Sequence, residues 1–233
     1  LILAGGKGMR LRPYTTILPK PMMPIGDMPI LEIVFRQLKY SGFDSIILAV
    51  GYMEHLFRAY FGDGSKYGLK ISYSIEENPL GTAGPLSLVI DQLDENFLVM
   101  NGDLLTTLNY KNLTKFHINS SSAATIALHS RNVDIDYGVV HYDNNNQLIK
   151  YEEKPVIDFS VSMGINILNK ESILRFLSPG EFLDLPDLIM KLKEHQHKIC
   201  CYSEDCEWLD IGRVEDYKIA SDRFNKNKSK FLK

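Results

Sequence analysis

Residues 1–13, LILAGGKGMRLRP, are the stretch of the sequence that decides the fold. The apolar residues 1–4 lead directly into Gly5-Gly6-Lys7-Gly8, which predicts a buried strand that ends in a glycine-rich loop. Successive glycines let backbone N–H groups approach a phosphate chain without Cβ clashes, and the guanidinium of Arg10 adds a fork of donors for phosphate oxygens. A tight connection between two elements explains these glycines equally well, so the loop alone leaves both interpretations open.

Two common nucleotide-binding motifs do not fit this loop. A P-loop would end in Gly-Lys followed by Ser or Thr at a fixed spacing, and the sequence lacks that ending. A dinucleotide-binding fingerprint would place a third glycine where Leu11 stands.

Apolar strands alternate with amphipathic helices through the first half of the chain. Ile30–Tyr40 has apolar residues at helical spacing and is followed by Gly42, and Ser45–Val50 is the next apolar strand. Residues 84–93 are predicted as a helix, and residues 97–101 as a strand that ends at Gly102-Asp103. Residues 19–24 contain three prolines and are predicted as an ordered, non-helical loop. This order predicts an α/β fold, a Rossmann-like three-layer sandwich with a mostly parallel mixed sheet.

The second half of the chain has a more mixed pattern. Residues 123–129, 138–142 and 163–168 are predicted as strands, and residues 185–195 as a helix with Pro186 in its first turn. The tail from Asn225 carries four lysines, which predicts a solvated helix end.

The composition excludes several classes of protein. Hydrophobic residues make up 45% and charged residues 24% of the chain, which is typical of globular domains and not of disordered or fibrous ones. A net charge of −3 gives no electrostatic support for binding nucleic acid, and no apolar run approaches the roughly 18 residues of a membrane-spanning helix. The three clustered cysteines Cys200, Cys201 and Cys206 cannot form a disulfide framework, which predicts a cytoplasmic location. No C-x-x-C is present to suggest zinc.

The glycine-rich loop continues into a pattern that spans residues 5–24, G-G-x-G-x-R-L-x-P-x-T-x-x-x-P-K-P-M-x-P. This pattern resembles the signature of the sugar-1-phosphate nucleotidyltransferases. Further stretches stand in the order of that family: PLGTAG at 79–84, NGD at 101–103, YGVV at 137–140, EEKP at 152–155 and WLDIG at 208–212. The run at 76–84 is most similar to that of mannose-1-phosphate guanylyltransferases.

The resemblance implies transfer of a nucleoside monophosphate from an NTP to a sugar 1-phosphate, with release of pyrophosphate. The product would be a nucleotide sugar, a precursor of cell-surface glycans or glycoconjugates. The attacking phosphate oxygen is largely ionised at neutral pH, because its second pKa is about 6, and needs no dedicated base. The chemical difficulty is to bring two polyanions together, and Mg²⁺ held by carboxylates and phosphate oxygens is the expected cofactor. The expected partners are small molecules, with no nucleic acid and no membrane.

The resemblance also implies a set of site residues. The catalytic residues would be Arg10 facing the pyrophosphate, Lys20 facing the α-phosphate, Lys154 facing the sugar phosphate, and the metal-binding pair Asp103 and Asp210. The nucleotide-binding residues would be Leu3, Ala4, Gly5, Gly6, Lys7, Gly8, Met9, Arg10, Glu76, Pro79, Gly81, Thr82 and Gly102. The sugar-phosphate-binding residues would be Gly138, Glu153, Lys154, Ser162 and Gly164. From the local sequence alone, Asp103 is also consistent with a helix or turn cap and Asp210 with an Asx turn.

Residue 76, residue 9 and the pair at 162–163 bear on which substrates are bound. Relatives that transfer thymidylate or uridylate often carry Gln where this chain has Glu76, and a carboxylate that only accepts hydrogen bonds favours the adjacent donors of guanine. A solvated acidic turn is an equal alternative for Glu76. Met9 replaces the usual Thr, so a hydroxyl contact to the triphosphate is missing. Ser162-Met163 replaces the usual Asn-Ala, which predicts an unusual sugar phosphate, such as an amino or deoxy sugar, unless these residues only pack the strand.

We expect one nucleotidyltransferase domain over residues 1–233, with an NTP-binding half at 1–110, a sugar-phosphate-binding half at 111–225 and a basic tail at 226–233. The chain opens at Leu1 within an apolar strand, so we expect it to be the catalytic core of a longer protein. An upstream regulatory domain, such as a pair of CBS modules, is one option that the resemblance offers, and a homo-oligomer is a separate one that is compatible with it.

GTP is the favoured donor, and a thymidylyl-, cytidylyl- or uridylyl-transferring member of the same family is the alternative. Two rival functions of other kinds are a glycosyltransferase and a non-catalytic nucleotide-sugar-binding regulatory subunit. Asp103-Leu104-Leu105 lacks the Asp-x-Asp of the glycosyltransferase, and the five retained catalytic residues argue against the regulatory subunit.

Overall fold

The computed structural model describes residues 1–6, 8–51 and 53–232, and most of its strands belong to one sheet. The strands are β1 (Ile2–Leu3), β2 (Pro24–Ile25), β3 (Met28–Pro29), β4 (Ser45–Val50), β5 (Lys70–Ile75), β6 (Asn96–Asn101), β7 (Leu104–Thr106), β8 (Ala124–Asp134), β9 (Val139–Tyr142), β10 (Leu148–Glu152), β11 (Val156–Asn169), β12 (Ile199–Ser203) and β13 (Trp208–Asp210). Seven of them form a sheet in the order β12-β8-β11-β6-β1-β4-β5. Only β11 runs antiparallel to its neighbours, so the predicted mostly parallel mixed sheet is confirmed.

Helices cover both faces of the sheet. They are α1 (Ile30–Tyr40), α2 (Glu54–Phe61), α3 (Leu86–Val89), α4 (Tyr110–Ser120), α5 (Lys170–Ile173), α6 (Leu185–Glu194), α7 (Val214–Lys226) and α8 (Lys228–Phe231). Buried side chains of α1, α2 and α4 pack in one apolar cluster against the sheet, and those of α3, α5 and α6 pack in a second. These are the three layers that the alternating pattern predicts. Within the described residues, no helix is long and apolar enough to cross a membrane.

Four sequence-based boundaries were wrong. The helix predicted at 84–93 is only α3 followed by a 3-10 turn at Ile90–Gln92, because Leu86 N and Ser87 N donate to Ala83 O and Gly84 O, three residues back, and form a turn before α3 begins. The strands predicted at 123–129 and 163–168 are the longer β8 and β11. The loop predicted at 19–24 contains a 3-10 turn, Lys20–Met22, and the short strand β2. The sequence analysis did not assign α4 or α7, whose compositions are largely polar.

The C-terminal tail is also different from the predicted solvated helix end. Phe231 is completely buried and packs against Phe224, with their ring centroids 5.9 Å apart. The side-chain amide of Gln37, itself buried, donates to Phe231 O at 2.8 Å and to Thr106 O at 2.7 Å. Lys226, Lys228 and Lys230 are exposed, so the pattern located the charged face of the tail and missed its apolar anchor.

Replacement of the anchor tests this packing. Phe231→Ala removes a fully buried aromatic ring, and we expect the free energy of unfolding to fall by about 3–5 kcal/mol because the ring leaves a cavity. Chemical denaturation measures the change. The exposed neighbour Lys230→Ala is the matched control and is expected to stay within about 0.5 kcal/mol of the parent protein. Equal stability of the two variants would contradict the buried tail.

Candidate active site

The first strand brings the glycine-rich loop to the edge of the sheet. β1 lies between β4 and β6, and Leu3 is in register with Ala49 on one side and Asn101 on the other. Ala4 N donates to Ala49 O at 2.8 Å, and Gly102 N donates to Leu3 O at 2.9 Å. The carboxyl ends of these three parallel strands therefore meet at one edge, which is where open α/β sheets bind ligands.

The loop after β1 depends on Gly8. Its backbone is left-handed, with φ of 59° and ψ of 32°. A Cβ at this position would lie 3.0 Å from Thr15 Cγ2 and 3.3 Å from Lys20 Cβ, so only glycine fits without displacing its neighbours. Thr15 Oγ1 donates to Gly8 O at 2.7 Å, which ties the loop to a residue seven positions later in the same motif.

A cavity of about 780 Å³ opens above this edge of the sheet. Its size is that of a pocket for a small organic ligand. It is lined by the sequence-predicted residues Leu3, Ala4, Gly5, Gly6, Gly8, Met9, Arg10, Lys20, Glu76, Pro79, Gly81, Thr82 and Asp103. Gly102 lies behind this wall, where a Cβ would come within 3.1 Å of Leu3 O. Lys7 lies outside the described residues.

Three charged side chains meet at the edge of the cavity: Lys20 and Asp103 line it, and Asp210 lies beside them without lining it. The Lys20 ammonium contacts Asp103 Oδ2, and its Nζ lies 3.8 Å from Asp210 Oδ1. The strand pair β7 and β13 produces this arrangement, because it sets Asp210 opposite Leu104, the residue after Asp103. Lys20 is only 9% exposed, so its charge acts in a partly desolvated environment.

The carboxyl of Asp210 carries an electrostatic cost in this cluster. Burial raises its pKa, and the nearby charge of Asp103 raises it further, while Lys20 and Arg10 act in the opposite direction. Two carboxylates at close range repel each other, and a cation between them removes the repulsion.

The oxygen donors of this cluster fit a hard divalent cation. Asp103 and Asp210 supply carboxylate oxygens, which Mg²⁺ prefers, and such a site takes its remaining ligands from water and substrate phosphates. The residues that the structure describes contain no group of three or more His, Cys, Asp and Glu side chains arranged to hold a metal. A metal ion here would therefore depend on the phosphates of a bound nucleotide.

The far wall of the cavity is fixed by contacts across some hundred residues of sequence. Asp184 Oδ1 accepts hydrogen bonds from Thr82 N and Thr82 Oγ1, both at 3.0 Å, and Leu185 N donates to Thr82 Oγ1 at 2.7 Å. Gly81 has φ of 79°, and a Cβ there would lie 2.6 Å from Leu183 O. The Thr82 hydroxyl donates to Asp184 and accepts from Leu185 N, so it ties the start of α6 to the loop that carries Gly81.

Several lining residues were missed by the sequence analysis. These are Pro21, Gly51, Glu77, Asn101, Phe182, Asp184 and Gly212. Pro21, Asn101 and Gly212 lie within motifs that the sequence analysis recognised, so their membership of these motifs could have identified them as site residues. Phe182 is 64% exposed and precedes α6, and nothing in the local pattern distinguishes it from an ordinary surface aromatic.

Glu76 lies at the end of β5 and faces the glycine-rich loop. Its Oε2 accepts from Leu80 N at 3.1 Å, and its Oε1 lies 3.0 Å from the position of a Cβ on Gly5. Burial raises the pKa of this carboxyl, and the hydrogen bond from Leu80 opposes the rise only in part. Glu76 is therefore a half-buried cavity residue and not the solvated turn that the sequence left open.

The predicted sugar-phosphate residues do not line the cavity. Gly138 and Glu153 lie together against Tyr151, whose hydroxyl donates to Glu153 Oε2 at 3.3 Å. Lys154, also a predicted catalytic residue, is exposed with φ of 46°. Ser162 is exposed as well, and its Oγ accepts from Gly164 N at 3.3 Å.

Gly164 is the member of this group nearest to the cavity. A Cβ on Gly164 would lie 2.7 Å from Asn101 Nδ2, and Asn101 lines the cavity wall. The structure therefore unites the predicted nucleotide and metal residues, and it separates them from most of the predicted sugar-phosphate residues.

The sequence profile of the family described as "Nucleotidyl transferase" matches residues 1–227. The chain belongs to this family. It is 34% identical to the UTP–glucose-1-phosphate uridylyltransferase of Synechocystis sp., over 93% of this chain and 61% of that protein. It is 35% identical to the D-glycero-alpha-D-manno-heptose 1-phosphate guanylyltransferase of Campylobacter jejuni, over 93% of this chain and 96% of that one. Mannose-1-phosphate guanylyltransferases, which the motifs resemble, are also relatives.

The solved structures include a similar chain with a nucleotide analogue. HddC from Yersinia pseudotuberculosis, complexed with GMP-PN, superimposes with a TM-score of 0.73 at 27% identity and covers 96% of this chain and 97% of its own. Curated relatives are thus sugar-1-phosphate nucleotidyltransferases, enzymes that generally use a divalent metal. The chain spans about six tenths of the length of the uridylyltransferase and nearly all of the heptose-phosphate guanylyltransferase.

The raised pKa of Glu76 predicts a pH-dependent stability. A carboxyl whose pKa is raised by folding contributes stability that is fully present below its ordinary pKa of 4.5 and is lost as the pH rises through its folded-state pKa. Glu76→Gln resembles the neutral form and can still accept from Leu80 N. We therefore expect the variant to melt at a higher temperature than the parent at neutral pH and at the same temperature below pH 4.5.

Thermal unfolding followed by circular dichroism over this pH range, without nucleotide, measures the effect. Glu77→Gln is the matched control, because Glu77 is exposed and adjacent, and it should leave the melting temperature unchanged at every pH. A Glu76→Gln variant that melts with the parent at neutral pH would contradict the burial of this carboxyl.

Proposed function

We propose that this chain transfers a nucleoside monophosphate, preferentially from GTP, to a sugar 1-phosphate and releases pyrophosphate. The observation that supports this most strongly is the cluster of Lys20, Asp103 and Asp210, of which Lys20 and Asp103 line the same cavity as the glycine-rich loop. Backbone N–H groups, a desolvated ammonium and two carboxylates together suit a triphosphate with its metal ion. The nucleotide sugar would serve the synthesis of glycans or glycoconjugates, in the cytoplasm.

The proposed reaction is an in-line displacement at the α-phosphorus. An oxygen of the sugar phosphate forms the new P–O bond, and the bond to the departing pyrophosphate breaks, so no proton transfer is required of the protein. Asp103 and Asp210 would hold Mg²⁺, which supplies charge neutralisation for the crowded phosphates. Arg10, exposed at the cavity mouth, is suited to bind the pyrophosphate, and Gly5, Gly6 and Gly8 allow the backbone to approach it.

Lys20 has two roles in this proposal. In the nucleotide-free chain its ammonium neutralises Asp103 and lies near Asp210, where it offsets their mutual repulsion. With Mg²⁺ held by Asp103 and Asp210, the Lys20 ammonium would be free to contact the α-phosphate, around which negative charge accumulates as the sugar phosphate approaches. The same side chain would therefore maintain the empty site and stabilise the transition state.

The sugar phosphate is assigned to the half of the chain that follows residue 110. Gly138, Glu153, Lys154, Ser162 and Gly164 are the proposed ligands, with Lys154 neutralising the attacking phosphate. The proposal requires the exposed segment that carries Glu153 and Lys154 to approach the cavity when both substrates are bound.

The preference for GTP rests on Glu76. Guanine presents adjacent N–H donors on its pairing edge, and a carboxylate, which only accepts hydrogen bonds, can pair with them. The imide of uracil or thymine offers a donor and an acceptor, and therefore pairs better with an amide. Glu76 lines the cavity and keeps Oε1 directed at Gly5 while Oε2 is occupied by Leu80 N. The guanylyl-transferring relatives and the GMP-PN complex of HddC agree with this assignment.

The first experiment measures pyrophosphate release with Mg²⁺ while four NTPs are crossed with a panel of hexose, heptose and aminohexose 1-phosphates. We expect release with GTP and one or a few sugar phosphates. No release from a folded sample that still binds GTP by calorimetry would favour the rival regulatory subunit over the enzyme.

The two carboxylates are tested separately. Asp103→Asn and Asp210→Asn should each lower kcat/KM by about 100-fold or more, since loss of one preorganised electrostatic contact costs that much in comparable sites. Manganese binding in the presence of nucleotide, measured by electron paramagnetic resonance, should weaken in parallel. Asp222→Asn, an exposed carboxylate on α7, is the matched control and should leave both quantities unchanged. Full activity of Asp103→Asn would refute the metal assignment.

The base assignment predicts a shift in nucleotide preference. Glu76→Gln replaces one acceptor by a donor, so the ratio of kcat/KM for GTP to that for UTP should fall by about 10-fold or more. The control Asp222→Asn, outside the cavity, should keep the parent ratio. An unchanged ratio in Glu76→Gln would show that the base is recognised by other groups.

A further inference from the structure

Phe182 is an aromatic side chain that the proposed reaction leaves without a role. It lines the cavity of the candidate active site, and it is 64% exposed. Among the lining residues that the structure describes, it is the only aromatic one. An exposed apolar ring at the wall of a ligand cavity is suited to hold a planar or apolar part of the ligand, because the ring gains free energy when that part covers it.

The backbone before Phe182 is held in a tight turn. Glu181 N donates to Ser178 O at 3.2 Å, and Gly180 has φ of 77°. Pro179 and Gly180 occupy the second and third positions of this turn, where a type II turn prefers proline and glycine. The turn therefore limits the directions in which the chain can enter residue 182.

The backbone after this side chain is fixed to the loop at 80–84. Leu183 N donates to Leu80 O at 3.0 Å. Leu183 O accepts from Ala83 N at 2.8 Å and from Gly84 N at 2.9 Å. The ring is thus exposed on a backbone that is held from both sides, so a ligand that covers it orders little more than the ring itself.

The segment that carries Phe182 lies next to the residue proposed to recognise the base. Glu76 Oε2 accepts from Leu80 N at 3.1 Å, and Leu80 O accepts from Leu183 N, so a single residue links the two. The proposed sugar-phosphate residue nearest to the cavity lies beside Asn101 instead. The ring therefore belongs to the part of the cavity that we assign to the nucleoside.

We propose that the ring of Phe182 stacks on the base of the bound NTP while Glu76 contacts the edge of that base. This inference rests on the proposed function, because it takes the ligand to be an NTP. Every base has a π face, and an aromatic side chain that stacks on this face adds affinity without reading the edge. A purine has a larger face than a pyrimidine, so Phe182 would add to the preference for GTP that Glu76 produces.

The position of this contact determines which kinetic constant it affects. The base is remote from the α-phosphorus, where bonds form and break, so stacking holds the substrate and the transition state equally. A contact of this kind lowers KM and leaves kcat unchanged. Loss of Phe182 should therefore raise the KM for GTP, in contrast to loss of Asp103 or Asp210, whose proposed metal contacts lie at the reacting phosphates.

Calorimetric titration with GTP and with inorganic tripolyphosphate, in the presence of Mg²⁺ and without sugar phosphate, separates the base from the phosphates. We expect Phe182→Ala to raise the dissociation constant of GTP by about 10- to 100-fold, the usual range for one stacked base, and to leave that of tripolyphosphate unchanged. The affinity for UTP should fall less than the affinity for GTP. Phe182→Tyr retains the aromatic face and should bind GTP like the parent chain.

Tyr40→Ala is the matched control. Tyr40 is an aromatic residue of similar exposure, 66%, and it lies outside the cavity. This variant should bind GTP and tripolyphosphate like the parent chain.

Fluorescence gives a second measurement that does not depend on a loss of affinity. Phe182→Trp places an indole on the same backbone, and a guanine that stacks on an indole quenches its emission. The parent chain contains one tryptophan, Trp208, so its emission supplies the background. GTP should quench the additional emission of the variant, and tripolyphosphate should not.

The outcomes distinguish this inference from the proposed function. A Phe182→Ala variant that binds GTP like the parent chain would overturn the inference, and so would an equal loss of affinity for GTP and tripolyphosphate or an indole that GTP does not quench. Pyrophosphate release from GTP by the parent chain would in those cases leave the proposed function standing. A parent chain that binds none of the four NTPs would overturn both.

Discussion

The position of β1 between β4 and β6 is the constraint on which the site depends. The strand has only two residues, yet it hydrogen-bonds to a parallel strand on each side, so Leu3 cannot shift relative to Ala49 or Asn101. This fixes where the glycine-rich loop begins and where Gly102-Asp103 leaves the sheet. The motif at the start of the chain and the carboxylate a hundred residues later are brought together by one register.

Electrostatic compensation determines the arrangement at the edge of the cavity. Asp103 and Asp210 lie close enough for one to raise the pKa of the other, and the ammonium of Lys20 reduces the repulsion between them. The lysine that we propose as a ligand of the substrate therefore also neutralises the two carboxylates that we propose as metal ligands.

The sequence was informative where local pattern and function coincide. The β-α-β order predicted the sheet, Ile30–Tyr40 and Ser45–Val50 matched their predicted bounds, and thirteen of the predicted site residues between Leu3 and Asp103 line one cavity. It failed where distant contacts decide. The bonds from Thr82 to Asp184 and from Gln37 to Phe231 join residues 102 and 194 positions apart, and no local periodicity encodes them. The apolar pattern of residues 163–168 likewise gave no sign that β11 begins as early as Val156.

The turn between β9 and β10, at residues 143–147, divides the chain into two segments that the sheet holds together. Asp143 Oδ1 accepts from Asn145 N and Gln147 N, so the turn closes on itself and contributes no side chain to the core. β11 and β12, which follow the turn, pair with β6 and β8, which precede it. A backbone break at residues 144–146 would thus leave the two pieces associated, which makes this turn a natural point for splitting the protein into complementing fragments or for inserting a foreign domain.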